Sequence, residues 1–188
     1  AVLRRSRPHD LANAMAAAAT ARFVGARADG IVAALGAFEG LAHRVERVGE
    51  RDGVAWYDDS KATTPHATLA AVAGFDRVVL IAGGRNKGID LSALAAAADR
   101  LRAVVAIGES AGEITDAFAG LVPVVEATSM DGAVAAAAAA ARPGDTVLLS
   151  PACASFDWYR GYGARGDDFV RAARAAGVRP ASEEEPAR

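Results

Sequence analysis

The stretch RVVLIAGG, residues 77–84, sets a continuous apolar run directly before two glycines. An apolar run without polar alternation is typical of a strand buried on both faces, as in the middle of a parallel sheet. Gly83 and Gly84 end that strand, because glycine adopts turn conformations that other residues avoid. The run TVLL at residues 146–149 has the same character. These two stretches predict the central strands of a sheet covered on both faces.

On either side of these strands, helix and strand patterns alternate along the chain. Before residue 77 we expect a hairpin turning at Asp52-Gly53, with strands at 44–51 and 53–57, and then a helix from Pro65 to Gly74. After residue 84 the predicted elements are helix 91–101, strand 103–107, helix 110–119, strand 122–125, helix 130–141 and a final helix at 167–176. This alternation predicts an α/β fold in which a mostly parallel sheet carries helices on both faces. Two short helices of strong helix formers, residues 11–22 and 29–37, precede it.

Composition restricts the functional class. The 188 residues are 52% hydrophobic and 23% charged, which is ordinary for a globular protein of one good-sized domain plus a small extra piece. The net charge of -2 gives no support for nucleic-acid or membrane-surface binding. The longest apolar stretch, residues 133–141, is far too short to span a bilayer, and no export signal is visible. Cys153 is the only cysteine, which fits a reducing compartment. We therefore expect a cytoplasmic protein.

Lysine is rare in this chain. Of the 21 basic residues only Lys61 and Lys87 are lysines, although an Ala- and Arg-rich background favours arginine. A retained lysine suggests that the compact ammonium group matters at that position. Ligands of parallel sheets bind beyond the carboxyl ends of the strands, which selects residues 58–65, 83–90 and 150–166. Both lysines and Cys153 lie within these segments, which predicts a site for a small acidic ligand.

The first two segments each allow two interpretations. In DDSKATTP (58–65), a Thr N-cap and Pro65 begin a helix whose free N–H groups, beside Lys61, suit a carboxylate or phosphate. A plain capped helix with a solvated lysine explains the same residues equally well. In GGRNKGID (83–90), Arg85 and Lys87 add charge near glycines that allow close approach of a ligand. This segment matches neither a phosphate-binding loop nor a dinucleotide fingerprint, and a simple turn accounts for it too.

The third segment, SPACASFDWYRGYGARG (150–166), is expected to be a long loop, and such loops are usually functional. Cys153 is either a nucleophile or a buried packing residue, and packing is favoured because no histidine lies nearby in sequence. Ser155 is the better candidate for a polar ligand contact. Arg44 is either a phosphate or base contact or a simple surface residue. No residues have the sequence spacing of a metal site.

Five stretches share their motifs with a known family: FEGLAHRVE (38–46), DDSKATT (58–64), GGRNKGID (83–90), GDTVLLSPACASFD (144–157) and YGARGDDF (162–169). Taken together, they resemble the Mur ligases of peptidoglycan synthesis, and among them the branch that adds D-glutamate. Their order and spacing also fit, so the resemblance covers nearly the whole chain. Sibling Mur ligases and folylpolyglutamate synthase carry a different, histidine-containing segment at the DSKAT position, which favours the D-glutamate branch.

The resemblance implies a domain organisation. The family has a UDP-sugar domain, a central ATPase domain and a Rossmann-like C-terminal domain that binds the incoming amino acid. Residues 38–179 resemble the C-terminal domain, and residues 1–37 resemble the last helices of the central domain. The polar, acidic tail at residues 180–188 is expected to be disordered from its composition.

The resemblance also implies site residues. Lys87, Thr63, Ser155 and Tyr162 should contact D-glutamate, with Ser60 and Lys61 shaping the same pocket. Arg44, Asp59 and Asn13 should contribute to nucleotide binding. Departures from the family pattern stand at Tyr162, where Phe is usual, at Thr64, where Asn is usual, and at Asp10, which replaces the first Asn of an adenine-binding segment. No residue of this chain is expected to be catalytic or to bind a metal.

The chemistry implied by the family uses ATP and Mg²⁺. The terminal carboxylate of UDP-N-acetylmuramoyl-L-alanine is phosphorylated, and the amine of D-glutamate then attacks the acyl phosphate. The chain lacks a phosphate-binding loop and a recognisable set of magnesium ligands, so we expect it to be a fragment that is inactive alone. We also expect it to be a monomer. Its expected partners are these substrates and the N-terminal and central domains of the same enzyme.

Two other functions remain open from the residues. A free-standing nucleotide-binding Rossmann domain would need a glycine fingerprint after its first strand, and GVAWYDDSK (53–61) has none. A non-catalytic interaction module would not respond to D-glutamate.

Overall fold

The computed structural model describes Leu3 and residues 7–180. The chain divides into two compact units, with the boundary between Leu41 and Ala42. The tail at residues 180–188 is predicted to be disordered, and from Ala181 onward it lies outside the described residues. The assignment of the first unit to a central ATPase domain stays a prediction.

The first unit consists of two helices, α1 (Pro8–Phe23) and α2 (Ala28–Ala37). Both correspond to predicted helices, and α1 starts three residues earlier than expected, because Pro8 is compatible with the first helical turn. None of the residues of α2 is buried. Among the described helices, none combines the length and apolar character needed to cross a membrane.

The second unit is an α/β domain. Its elements are β1 (Glu46–Arg51), β2 (Val54–Asp58), α3 (Pro65–Val72), β3 (Val78–Gly83), a 3₁₀ helix (Ser92–Arg100), β4 (Leu101–Ile107), α4 (Ala111–Ala117), β5 (Val124–Ala127), α5 (Met130–Ala140), β6 (Thr146–Ala152) and α6 (Tyr162–Ala175). The hairpin turn lies where expected, since Asp52 and Gly53 both have the positive φ that a tight hairpin turn requires.

The six strands form one sheet in the order β1-β2-β6-β3-β4-β5. Strand β1 pairs antiparallel with β2, and every other pairing is parallel. All residues of β3 and β6 are buried, as predicted for the two central strands. The predicted fold class, a mostly parallel α/β sheet with flanking helices, is confirmed.

The core consists of two apolar layers, one on each face of the sheet. Along β3, Val79 and Ile81 pack into the layer that contains residues of α5 and α6. Val78, Leu80 and Ala82 pack into the layer that contains residues of α3, α4 and the 3₁₀ helix. This alternation follows from the two-residue period of a strand and explains why β3 is apolar throughout.

Several predicted elements differ from the structure in type or bounds. The helix expected at 91–101 is a 3₁₀ helix, and its buried residues Leu94 and Ala97, with the buried N-cap Leu91 before them, recur every three residues. That spacing matches the three residues per turn of a 3₁₀ helix. The strand expected at 122–125 begins instead at Val124. Its pairing with β4 starts at this point, where the N–H of Val104 donates a hydrogen bond to the carbonyl of Pro123.

The third segment is shorter than the predicted loop. Strand β6 continues to Ala152, and α6 begins at Tyr162 rather than at residue 167, so the connection covers residues 153–161. The glycines at 163 and 166, which resemble loop residues in the sequence, lie inside the first turns of α6.

Candidate ligand site at the carboxyl edge of the sheet

Main-chain hydrogen bonds bring the three predicted segments together. Arg85 and Ala154 exchange two of them, at 2.8 and 3.0 Å, which join the second segment to the third. The N–H of Ala152 donates to the carbonyl of Ala62 at 2.9 Å, which joins the third segment to the first. The three segments therefore form one surface at the carboxyl ends of β2, β6 and β3, as the sheet topology requires.

A buried arginine connects the same segments from beneath. The Arg165 guanidinium donates to the hydroxyl and the carbonyl of Ser60, at 3.0 and 2.8 Å, and to the carbonyl of Cys153 at 3.1 Å. Only 1% of Arg165 is exposed, and burial lowers its pKa to about 10. The Ser60 hydroxyl also donates to the carbonyl of Tyr162 at 2.8 Å. Ser60, predicted to shape the pocket, is thus a buried link between β2 and α6.

Two adjacent carboxylates end β2 in buried positions. The Asp59 carboxylate accepts hydrogen bonds from Ser150 at 2.8 Å and from the N–H of Val45 at 3.2 Å. Burial nevertheless raises the pKa of Asp59 to about 7. Burial also raises the pKa of Asp58, against the opposing effect of its hydrogen bond with His43. Asp59, predicted to reach the nucleotide, therefore follows the carboxyl end of β2 but has a buried side chain.

His43 is a site residue that the sequence did not identify. Its Nδ1 lies 2.7 Å from Asp58 Oδ2, and its backbone N–H donates to Glu46 at 2.9 Å. Its carbonyl accepts from the N–H of Lys61, and its φ of 58° is unusual for a residue with a side chain. A possible signal was the adjacency of His43 to Arg44, but no sequence pattern links either residue to Asp58.

The His43, Glu46 and Asp58 donor atoms all lie within 4.8 Å of one another, and this is the group of described residues best placed to hold a metal ion. However, Nδ1 and the Asp58 oxygen contact each other directly at 2.7 Å, so a hydrogen bond occupies the space between two of the donors. The group is better explained as an oriented imidazole.

Lys61 and Tyr162, both predicted to contribute to the substrate pocket, are in contact. The Lys61 ammonium lies 5.3 Å from the centre of the Tyr162 ring, a cation–π distance. The same ring meets His43 edge to face, at 6.1 Å between centroids. Tyr162 is 40% exposed and is the first residue of α6. The pair thus borders the open face of the site.

Thr63 and Thr64 precede α3. Thr64 is the N-cap, and its hydroxyl accepts from the N–H of Ala67 at 3.4 Å. Thr63 is half-buried beside this helix start, whose free N–H groups favour an anion. The predicted capped helix is present, and Thr at position 64 keeps the capping oxygen.

Lys87 differs from the other cations of the site. It is exposed, and within the described residues it makes no hydrogen bond or ion pair. Its neighbour Arg85 instead forms a two-pronged ion pair with Glu109, at 2.6 and 2.9 Å. Unlike Arg85, Lys87 is therefore available to a ligand carboxylate.

The third segment contributes Ser155 and Cys153, both about 2% exposed. The Cys153 sulfur lies 3.3 Å from the Ser110 hydroxyl, and burial raises the pKa of the thiol. A buried thiol with a raised pKa is unreactive, which favours the packing interpretation. Ser155 follows Ala154, whose main chain pairs with that of Arg85, so the serine lies where the second and third segments meet.

The predicted nucleotide residues are distributed over both units. Arg44 is exposed next to Asp59, and its charge lowers the carboxyl pKa of Asp59, although less than burial raises it. Asn13 is exposed on α1 of the first unit. The assignment of Asn13, Arg44 and Asp59 to nucleotide binding stays a prediction.

Comparison with known proteins places this architecture. A family model described as Mur ligase, glutamate ligase domain, matches residues 43–153. The UDP-N-acetylmuramoylalanine–D-glutamate ligase of Frankia casuarinae is 55% identical over 172 residues, which cover 89% of this chain and 36% of that protein. The ligase of the same name from Streptomyces coelicolor is 46% identical over 180 residues, covering 91% of this chain and 38% of that protein. The chain thus spans well under half the length of these relatives.

The fold also recurs among solved structures. The UDP-N-acetylmuramate–alanine ligase of Thermotoga maritima superimposes with a TM-score of 0.68 at 17% identity, over 93% of this chain and 40% of that one. The similarity at that identity concerns the fold alone. The family match, the high identity to the curated relatives and the shared sheet together show that the chain belongs to the Mur ligase family and carries its glutamate ligase domain.

Proposed function

We propose that this chain is the D-glutamate-binding part of an ATP-dependent ligase that joins D-glutamate to UDP-N-acetylmuramoyl-L-alanine in the cytoplasm. The observation that carries the proposal is the Lys87 ammonium, which has no hydrogen bond or ion pair with the described residues and lies on the surface that also holds Lys61, Tyr162 and the start of α3. The relatives from Frankia and Streptomyces carry this activity in their names, which supports the same substrate class.

D-Glutamate presents two carboxylates to be held and one amine that must stay free. Lys87 and Lys61 supply two separate positive charges, and the α3 start with its Thr63 and Thr64 hydroxyls supplies neutral donors. Charge-assisted hydrogen bonds of this kind are suited to carboxylates. The buried Arg165 guanidinium beneath them donates hydrogen bonds to Ser60 and Cys153, so it connects the segments rather than binding the ligand.

The phosphate chemistry depends on residues beyond this chain. When bound by the complete enzyme, ATP with Mg²⁺ supplies the phosphoryl group that activates the carboxylate partner. Exposed Arg44, next to Asp59, suits an approach to the nucleotide phosphates, and Asn13 suits a contact with the base. This domain would orient the amine of D-glutamate toward the activated carboxylate and exclude water from it.

The test is an NMR titration of the ¹⁵N-labelled chain with D-glutamate and with L-glutamate. Shifts confined to residues 58–65, 83–90 and 150–166 and stronger for the D form are expected. Lys87→Ala should weaken the response roughly tenfold, as for the loss of a charged contact. Arg142→Ala is the matched control, because Arg142 is an exposed cation before β6, at the opposite edge of the sheet.

The same titration separates the alternatives. Equal responses to both enantiomers, or shifts outside the three segments, would contradict the proposal and favour an interaction module. Binding of ATP in place of glutamate would favour a free-standing nucleotide-binding domain. The chain alone should also release no phosphate from ATP with both substrates present, and measurable release would contradict its role as an incomplete ligase.

A further inference from the structure

Lys87 lies in a four-residue turn that is closed by a side chain. The Asn86 Oδ1 accepts a hydrogen bond from the N–H of Ile89 at 3.0 Å, and the Asn86 Nδ2 donates to the carbonyl of Ile89 at 2.9 Å. The amide of Asn86 therefore pairs with both backbone groups of Ile89, as a neighbouring strand would. Lys87 and Gly88 are enclosed between the two partners, and Gly88 has a left-handed φ of 77°.

A second residue fixes the orientation of that amide. The Nδ2 of Asn86 also donates to the Glu113 carboxylate at 2.7 Å, from the first turn of α4. The carboxylate and the Ile89 carbonyl only accept hydrogen bonds, whereas the Ile89 N–H only donates. One orientation of the amide satisfies all three groups, so Glu113 anchors the turn to α4.

The base of the turn is anchored as well. Arg85 exchanges two main-chain hydrogen bonds with Ala154, next to Ser155, so the start of the turn is tied to the third segment. The ammonium of Lys87 itself has no hydrogen bond or ion pair within the described residues. The turn therefore fixes the backbone position from which the Lys87 side chain extends, and no contact of the ammonium itself does so.

We propose that Asn86, oriented by Glu113, is a positioning residue that holds the turn in the conformation from which Lys87 meets a ligand carboxylate. This inference rests on the proposed function, because it assigns Lys87 to the acidic ligand. It adds a role for two residues that do not touch the ligand. Preforming the turn removes an ordering cost that binding would otherwise have to overcome.

Two measurements on the ¹⁵N-labelled chain test the role: D-glutamate affinity and the backbone order of Lys87 and Gly88 by ¹⁵N relaxation. Asn86→Ala should weaken D-glutamate binding roughly fivefold to tenfold and lower the order of both residues. The unfolding midpoint should hardly change, because the turn is exposed. A merely structural residue would lower the midpoint without a selective effect on binding.

Exchanging the charges of Asn86 and Glu113 adds a rescue. Asn86→Asp replaces the donor by an acceptor that faces Glu113 and the Ile89 carbonyl, so it should weaken binding more than Asn86→Ala. Adding Glu113→Gln supplies a donor for the new carboxylate and should recover part of the affinity. Absence of recovery, together with unchanged order in Asn86→Ala, would overturn the positioning role.

Lys87→Ala separates this inference from the proposed function. If Lys87→Ala weakens D-glutamate binding but Asn86→Ala does not, only the positioning role fails. If Lys87→Ala has no effect, the assignment of Lys87 to the ligand fails, and the role of Asn86 fails with it.

Discussion

Gly166 shows how a single absent side chain shapes the site. A Cβ built on Gly166 would overlap the His43 ring and would lie 2.5 Å from Asp58 Oδ2, much closer than real contacts allow. Gly166 therefore lets α6 approach the His43–Asp58 pair, even though glycine in a helix costs up to about 1 kcal/mol relative to alanine.

Gly166→Ala should lower the free energy of unfolding by about 1–3 kcal/mol, because an overpacked contact must displace His43 or Asp58. Gly163→Ala is the matched control on the same helix, since its Cβ would meet only His43 Nε2 at an ordinary 3.8 Å. It should be neutral or stabilising. Urea unfolding of both variants measures the difference. An undiminished stability of Gly166→Ala would contradict the prediction, because it would show that α6 can move away from His43 and Asp58.

Asp59 allows a prediction about pH. An unfolded aspartate has a pKa of about 3.9, whereas burial raises the pKa of Asp59 in the folded chain to about 7. Between these values the folded state binds more protons than the unfolded state. The contribution of Asp59 to stability therefore falls as pH rises from about 4 to about 7.

Asp59→Asn removes this titration. The variant should gain stability relative to the unmodified chain as pH rises through that window, by on the order of 4 kcal/mol at most. Asp116→Asn is the control, because Asp116 is exposed on α4. Urea unfolding between pH 4 and 8 measures the difference, and a constant offset between Asp59→Asn and the original chain would contradict the prediction.

At the scale of elements, Arg165 joins α6 to the ends of β2 and β6. Its planar group donates to three acceptors at once, and a lysine cannot reproduce that geometry. Arg165→Lys should therefore destabilise the domain by about 2–4 kcal/mol, because buried carbonyls of Ser60 and Cys153 lose donors. Arg171→Lys, on the exposed side of the same helix, should cost less than about 1 kcal/mol. Equal losses of stability in the two variants would contradict this, because the buried Arg165 would then contribute no more than an exposed arginine.

Elements with a strong pattern could be predicted, and those decided by packing could not. The apolar runs of β3 and β6 follow from burial on both faces, and the Asp52-Gly53 turn follows from its φ requirements. The start of α6 was missed because Gly163 and Gly166 disfavour a helix locally, while the close approach of His43 and Asp58 requires a glycine at position 166. Tertiary packing overrides propensity at this point.

The same limit applies to the site. Residues in contiguous segments, such as Lys61 and Lys87, could be placed at the carboxyl edge from the predicted strand ends alone. The links that assemble the segments join residues far apart in sequence, as Arg165 does with Ser60 and His43 with Asp58. No local pattern encodes such pairs, so His43 and Arg165 emerged only from the structure.

At the scale of the whole molecule, the two units differ in how much apolar surface they bury. The first unit has large apolar side chains in contact with solvent, including Phe23 at 91%, Val24 at 74% and Met15 at 67% exposure. Helix α2 buries no residue, whereas β3 of the second unit is fully buried. Short helices without a packed face are marginally stable in water. The first unit should therefore open far more easily than the second.

Amide hydrogen exchange followed by mass spectrometry measures this difference. Amides of α1 and α2 should exchange within seconds to minutes, and those of β3 and β4 only through opening of the whole domain. Because the chain covers 36% of the Frankia ligase, we expect the exposed apolar side chains of α1 and α2 to be covered in a complete enzyme. Exchange of residues 8–37 should then slow by orders of magnitude in a complete enzyme, while that of β3 should change little. Strong protection of α1 and α2 in the chain alone would contradict this, because it would show that the two helices are stable without further contacts.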